Sequence, residues 1–169
     1  IDKFPIGDYW EHGTLQLTAA GVIAKSSNLG TIVAADQMSD AQMYGYFSKF
    51  GFGKKTGVSL PGESAGILKP GAEWTKANHA TISFGQGVSV TAVQMMRAVG
   101  AIANGGSMCE PSVVLGDDAG GSQQVVSKSA ARTVTRMMEA VTAADGTAPA
   151  SSAAKASEST PSNASSKSA

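Results

Sequence analysis

Cysteine is almost absent from this chain, histidine is scarce, and neither sign of charge is in excess. A lone Cys109 excludes an internal disulfide and leaves the redox compartment unread. His12 and His79 lie far apart with no metal-ligand spacing around them, so neither a zinc site nor any other metal centre is expected. Thirteen acidic residues balance thirteen basic ones, which leaves no basic footprint for nucleic acid. No apolar run approaches the ~20 residues needed to cross a bilayer. The sequence opens at Ile1 without a methionine, a charged leader or an apolar signal core, and is expected to be the interior of a longer protein.

What is present suits a folded domain or part of one. Hydrophobic residues make up 42% of the 169, enough for a core. Thr18 is placed to cap a short helix over 19–25, and a second helix is expected from about Asn28 to Gln37, with Leu29, Ile32 and Val33 on one face. Ser39 and Gln42 have capping-box spacing and open a third helix, where Met43, Phe47 and Phe50 recur on one side and Gly51 ends it. From Gly51 to Gly87 the density of Gly and Pro predicts loop with short extended pieces. Thr91 and Gln94 form another capping-box pattern, with Val93, Met96, Val99 and Ile102 as its apolar face and Asn104-Gly105-Gly106 as its stop. Pro111–Leu115 and Gln123–Val126, around a turn-rich GDDAGGS, predict a β-hairpin. A last helix over about 129–141 carries Val134, Met137, Met138 and Val141 as a core stripe. After Gly146 the composition changes. Pro149 to Ala169 holds no apolar residue larger than alanine, so 147–169 is expected to be a disordered Ser/Ala tail beyond a partial domain over 1–146.

One stretch does not fit a plain helix start. In GVIAKSSNLGTIVAADQM, Ser26, Ser27 and Asn28 stand together where a single capping residue would suffice. Read with FGFGKKTGVSLPGESAGIL and ISFGQGVSVTAVQMMRAVGAIANGG, in that order and at that spacing, it resembles the class B penicillin-binding proteins, the peptidoglycan D,D-transpeptidases. The resemblance covers roughly Thr14 to Gly146. It implies part of an α/β serine transpeptidase (β-lactamase-like) fold, here mainly α-helical with a short β-hairpin.

The family acylates a serine of an S-x-x-K motif, with S-x-N and K-T-G forming the other walls of the site. The resemblance maps S-x-N onto Ser26 and Asn28. Ser26 would then serve the proton relay, and Asn28 would bind the side-chain amide of a stem peptide or β-lactam. Ser27 is expected to point away and to tolerate replacement. No cofactor is implied. The implied partners are peptidoglycan stem peptides and β-lactams, with cell-division or elongation membrane proteins as further candidates, on the outer face of the cytoplasmic membrane.

Two matches read as decoys. Lys55-Thr56-Gly57 follows Asn28 too closely to be the third wall, and Ser152-Ala153-Ala154-Lys155 lies in the low-complexity tail. The resemblance places the nucleophile before Ile1 and the K-T-G strand after the last helix, so the isolated chain is expected to be inactive. The alternatives are a non-catalytic penicillin-binding-like module of the division or cell-wall machinery, and a β-lactam sensor or hydrolase. Glu63 is expected to be solvated or to cap a backbone amide, Trp10 and Trp74 to be structural, Gly85 and Gly87 to permit positive φ or close backbone approach, and Cys109 to be a small buried hydrophobe.

Overall fold

Hydroxyl groups set where the helices begin. The computed structural model describes residues 5–114 and 120–149, and in it a serine or threonine side chain accepts the N–H of the third residue of each of the six α-helices. Thr18 opens α1 (Ala19–Lys25), Ser27 opens α2 (Asn28–Ala35), and Ser39 with Gln42 completes a capping box for α3 (Asp40–Lys49). Thr75 with Asn78 opens α4 (Lys76–Ser83), Thr91 with Gln94 opens α5 (Ala92–Ala103), and Ser127 opens α6 (Lys128–Glu139). Helix α4 falls within the stretch expected to be loop. Its box uses asparagine where glutamate or glutamine is usual, which hid it.

Glycine ends α3 as expected. Gly51 sits at φ 83°, its N–H bonds the Ser48 carbonyl, and the Phe52 N–H reaches back to Phe47, whose ring meets that of Phe52 at 6.0 Å. This is the double hydrogen bond with its hydrophobic contact that closes many helices.

The hairpin forms, but earlier than expected: β1 (Ser107–Cys109) pairs antiparallel with β2 (Ser122–Gln124), Met108 opposite Gln123. Pro111–Val114 lie beyond the ladder, and Leu115 lies outside the described residues. Cys109 is exposed at the end of β1 rather than buried, its Sγ 3.5 Å from the Asn104 amide. All but the first residue of the Pro149–Ala169 segment, Ser152 and Lys155 included, also lies outside the described residues.

Apolar burial is split between two small clusters. Ala35, Met43, Trp74 and Ile82 gather Met38, Tyr44, Phe47, Leu68 and Val88 around them, and Trp74 also donates its indole N–H to the Lys69 carbonyl. Ala101, Met108 and Val125 form the second cluster, with Phe50 against it. The Met43, Phe47, Phe50 face of α3 thus serves both. The other expected faces are buried only in part: on α2 Ile32 is buried while Leu29 and Val33 are exposed. On α5 the buried residues are Gln94, Ala98 and Ala101, whereas Met96 is 73% exposed and Val99 nearly half. On α6 only Ala131 is fully buried, with Val134, Met137 and Val141 half-buried and Met138 exposed. Small residues let α5 approach α6 and β1 closely, so contact follows alanine rather than the bulky stripe.

Gln94 binds the Gly/Pro-rich segment to α5. Its Oε1 accepts the Thr91 N–H at 2.8 Å, and its Nε2 donates to the carbonyls of Lys54 (2.7 Å) and Ala65 (2.8 Å), with Gly51 at 3.4 Å. The side chain is 1% exposed. Two further bonds, between the Ile67 and Ser89 backbones, stitch the same segment to the entry of α5.

Candidate active site

The polar trio lies at the junction of α1 and α2, and its members do three different things. Ser27 is buried. Its Oγ accepts the Gly30 N–H at 2.9 Å as the α2 cap and donates to Asp8 Oδ2 at 2.7 Å. Ser27 therefore points into the turn toward Asp8, and it is structural rather than dispensable. Asn28 is half-buried, and its Nδ2 donates to the Gly7 carbonyl at 3.0 Å. Ser26 is exposed, and among the described residues nothing hydrogen-bonds its hydroxyl.

The backbone of Ser26 is the unusual feature. It ends α1 at φ 52° and ψ 45°, with its N–H on the Ile23 carbonyl and the Ser27 N–H on that of Val22. This is the same closure that Gly51 makes for α3, with serine in the glycine position. A left-handed non-glycine residue costs about 1–2 kcal/mol. Such residues cluster at functional sites, where the surroundings hold them in place. Beside this turn the two helices touch closely: a Cβ on Gly30 would stand 2.6 Å from Val22 Cγ2.

Sequence reasoning missed the group beneath the turn. The Asp8 side chain is 2% exposed and accepts from Ser27 Oγ and from the Leu29 N–H (3.1 Å), while His12 Nε2 approaches its Oδ2 at 3.1 Å. A single acidic residue in an irregular segment, 19 positions before its partner, leaves no periodic or spacing signal. The row Ser27–Asp8–His12 has the members of a hydrolase triad in the wrong order. The carboxylate stands between hydroxyl and imidazole, so no base faces the hydroxyl proton.

Burial opposes the charge on Asp8, but the Ser27 hydroxyl, the Leu29 N–H, His12 and the Asn28 N–H outweigh it, and its pKa falls below the ordinary 3.8. The Gly13 carbonyl on Nδ1, with Asp8 on Nε2 beside it, outweighs desolvation and raises His12 above 6.5. The signs give opposite limbs. The lowered Asp8 contributes stability that is full above 3.8 and lost as pH falls through its folded value; the raised His12 contributes stability that is full below 6.5 and lost as pH rises through its own. Thermal denaturation against pH, beside Asp8→Asn and His12→Gln, checks this. The gap to Asp8→Asn should close in acid, and the gap to His12→Gln should close above neutrality.

The K-T-G at 55–57 is held by its own loop. Glu63 Oε1 accepts both the Thr56 N–H (2.5 Å) and its hydroxyl (2.6 Å), and Oε2 accepts the Gly57 N–H at 3.3 Å. The Thr56 hydroxyl bond, then its amide, lower the pKa of Glu63. Thr56 is buried and committed, so this K-T-G presents no hydroxyl to a substrate. Glu63 caps backbone amides as expected, and Gly85 and Gly87 do take positive φ, at 90° and 81°. Among the described residues no cluster of His, Cys, Asp or Glu could hold a metal ion.

Beside the trio, α1 meets the far end of the described chain. Lys25 Nζ donates to the Asp145 carbonyl at 2.5 Å and lies 3.6 Å from its carboxylate, and the Thr147 N–H donates to the Ala24 carbonyl at 3.1 Å. Helix ends, polar trio and trailing segment therefore form one wall.

The chain as a whole is similar to known proteins. Residues 3–162 match the penicillin binding protein transpeptidase domain. The chain belongs to that family. It is 37% identical over 150 residues to penicillin-binding protein PbpB of Mycobacterium tuberculosis, covering 83% of this chain and 22% of that protein. It is 36% identical over 126 residues to the peptidoglycan D,D-transpeptidase FtsI of Escherichia coli, covering 75% of this chain and 21% of FtsI. A crystal structure of penicillin-binding protein 3 from M. tuberculosis, complexed with aztreonam, superposes with a TM-score of 0.72 at 37% identity, over 78% of this chain and 32% of that one. The chain thus adopts part of the β-lactamase-like transpeptidase fold, helix-rich with a two-stranded hairpin, and spans about a fifth of the length of these two relatives.

Proposed function

We propose that this chain is a segment of a class B peptidoglycan D,D-transpeptidase and supplies the S-x-N wall of its acyl-transfer site. The observation that carries the reading is Ser26: an exposed, unpartnered hydroxyl on a left-handed residue, seated on a buried hydrogen-bonded turn. In the reaction a serine Oγ, supplied by another part of the parent, attacks the D-Ala–D-Ala carbonyl. The bond to the terminal D-alanine breaks, and its amine leaves with the proton that the serine gave up. The amine of a second stem then attacks the acyl-serine carbonyl, the ester bond to Oγ breaks, and the amine's proton returns to the serine. Ser26 relays the proton between serine and leaving amine, a role typically worth 10²–10⁴ in rate. Asn28 has one of its amide hydrogens on Gly7, which fixes the plane of the group and leaves Oδ1 and the second hydrogen for the amide of a stem peptide or β-lactam.

The parent works on the outer face of the cytoplasmic membrane, with peptidoglycan stem peptides as substrates and division or elongation membrane proteins as neighbours. Among the described residues no helix is long and apolar enough to cross a membrane. A fluorescent penicillin tests the proposal on the full-length parent. A covalent adduct that persists for the assay is expected. Failure to form one would instead make the parent a non-catalytic module, and an adduct lost as fast as it forms would make it a hydrolase. The isolated chain should take up no label.

A further inference from the structure

Strain at Ser26 has to be held by something, and the holder is the short segment Gly7 to Gly13. Asp8 spans the α1–α2 junction, with Oδ2 on the Ser27 hydroxyl and Oδ1 on the Leu29 N–H, while the Gly7 carbonyl takes the Asn28 amide. All three residues after Ser26 are therefore tied to Gly7 and Asp8. Asp8 is itself fixed from the other side by His12. Nε2 of that ring lies 3.1 Å from Asp8 Oδ2, and Nδ1 lies 2.7 Å from the Gly13 carbonyl. A neutral imidazole has one N–H and can satisfy only one of two acceptors; the imidazolium satisfies both. The Trp10 ring packs on the imidazole at 5.0 Å and limits its swing.

We infer that Asp8 and His12 are positioning residues for the S-x-N wall: a hydrogen-bonded pair outside the motif that fixes the α1–α2 turn and thereby aims Ser26 and Asn28. Neither residue touches the substrate. A plain helix cap needs only the Ser27 hydroxyl. A buried carboxylate that also takes the Leu29 N–H, with the His12 ring behind it, holds the turn in position as well as capping it. The inference rests on the assignment of Ser26 to the proton relay.

The test is a double-mutant cycle in the full-length parent. Its probe is 6-aminopenicillanic acid, which lacks the acylamino side chain that Asn28 would bind, and mass spectrometry follows the adduct. Asp8→Asn keeps the shape but presents a donor where two donors already converge. Acylation should slow about ten-fold or more, because small misplacement of a catalytic group costs that much. In a Ser26→Ala background the same change should slow it no further, since Asp8 acts through a hydroxyl that is gone. Additive losses, or a wild-type rate in Asp8→Asn while Ser26→Ala is slow, would show that Asp8 merely supports the fold. A wild-type rate in Ser26→Ala would remove the relay assignment, and this inference with it. Should Asp8→Asn fail to fold, His12→Gln carries the same cycle, because it leaves the carboxylate and both its α2 contacts in place.

Discussion

Ser26→Gly is expected to make the protein more stable and much less active. Ser26 occupies the left-handed position that ends α1, where Gly51 does the same for α3. Glycine relieves the ~1–2 kcal/mol strain of a Cβ there and gives back about 0.5–1 in unfolded-chain entropy, so folding should gain up to about 1 kcal/mol. Acylation of the full-length parent should slow by about 10²-fold, because the hydroxyl proposed as the proton relay is lost. Ser26→Ala should slow acylation as much without the gain in stability. Neighbouring substitutions fail differently. Asn28→Ala should weaken ligands bearing the side-chain amide by roughly 1–3 kcal/mol and spare those without it. Ser27→Ala removes a helix cap and a bond to a buried carboxylate, so it should cost about 2 kcal/mol of stability. Penicillin acylation rates and melting temperatures of the four variants separate these outcomes. A plain structural turn would leave acylation by Ser26→Gly and Ser26→Ala untouched.

Gln94→Leu should be among the most damaging substitutions away from the site. The leucine fits the volume but leaves the Lys54 and Ala65 carbonyls without their buried donor, and the Thr91 N–H without its acceptor. Each buried orphan costs about 1–3 kcal/mol, and some will find water, so a total near 3 kcal/mol is expected. Gln94→Glu should be worse at neutral pH, since it sets a carboxylate against two carbonyl oxygens, and should partly recover in acid when a proton restores one donor. Chemical denaturation at two pH values measures both. Equal stability of Gln94→Glu at the two would show that the carbonyls turn away from the side chain.

What the sequence made legible was local. The caps at Thr18, Ser39 and Thr91 and the stop at Gly51 were readable because hydroxyl, amide and glycine lie within one helical turn of the groups they satisfy. Which face of α5 is buried was not, because that depends on what approaches. Gln94, Ala98 and Ala101 are buried, Val93 and Ile102 are half-buried, and Met96 and Val99 are exposed. Strand β1 escaped notice since Ser-Met-Cys carries no alternating pattern; its place is set by the glycine pair before it and by pairing to Ser122–Gln124. At the candidate site Ser26 and Asn28 could be picked out by motif. Asp8, His12 and the burial of Ser27 could not, because hydrogen bonds across 19 and 21 positions leave no trace in spacing.

The pairing of Lys25 with Asp145 has a consequence for the order in which the wall is assembled. These residues are 120 positions apart, and the Ala24–Thr147 bond beside them is of similar span. Contacts so distant in sequence form late, since the chain between them must be organised first. On a ribosome adding about 5–20 residues each second, the α1 end waits roughly 6–24 s for its partner to be made. Throughout that interval α1 lacks both α6 and the turn at 140–142, against which it packs in the finished structure. Slowing translation would lengthen the time for which that side of α1 stays uncovered.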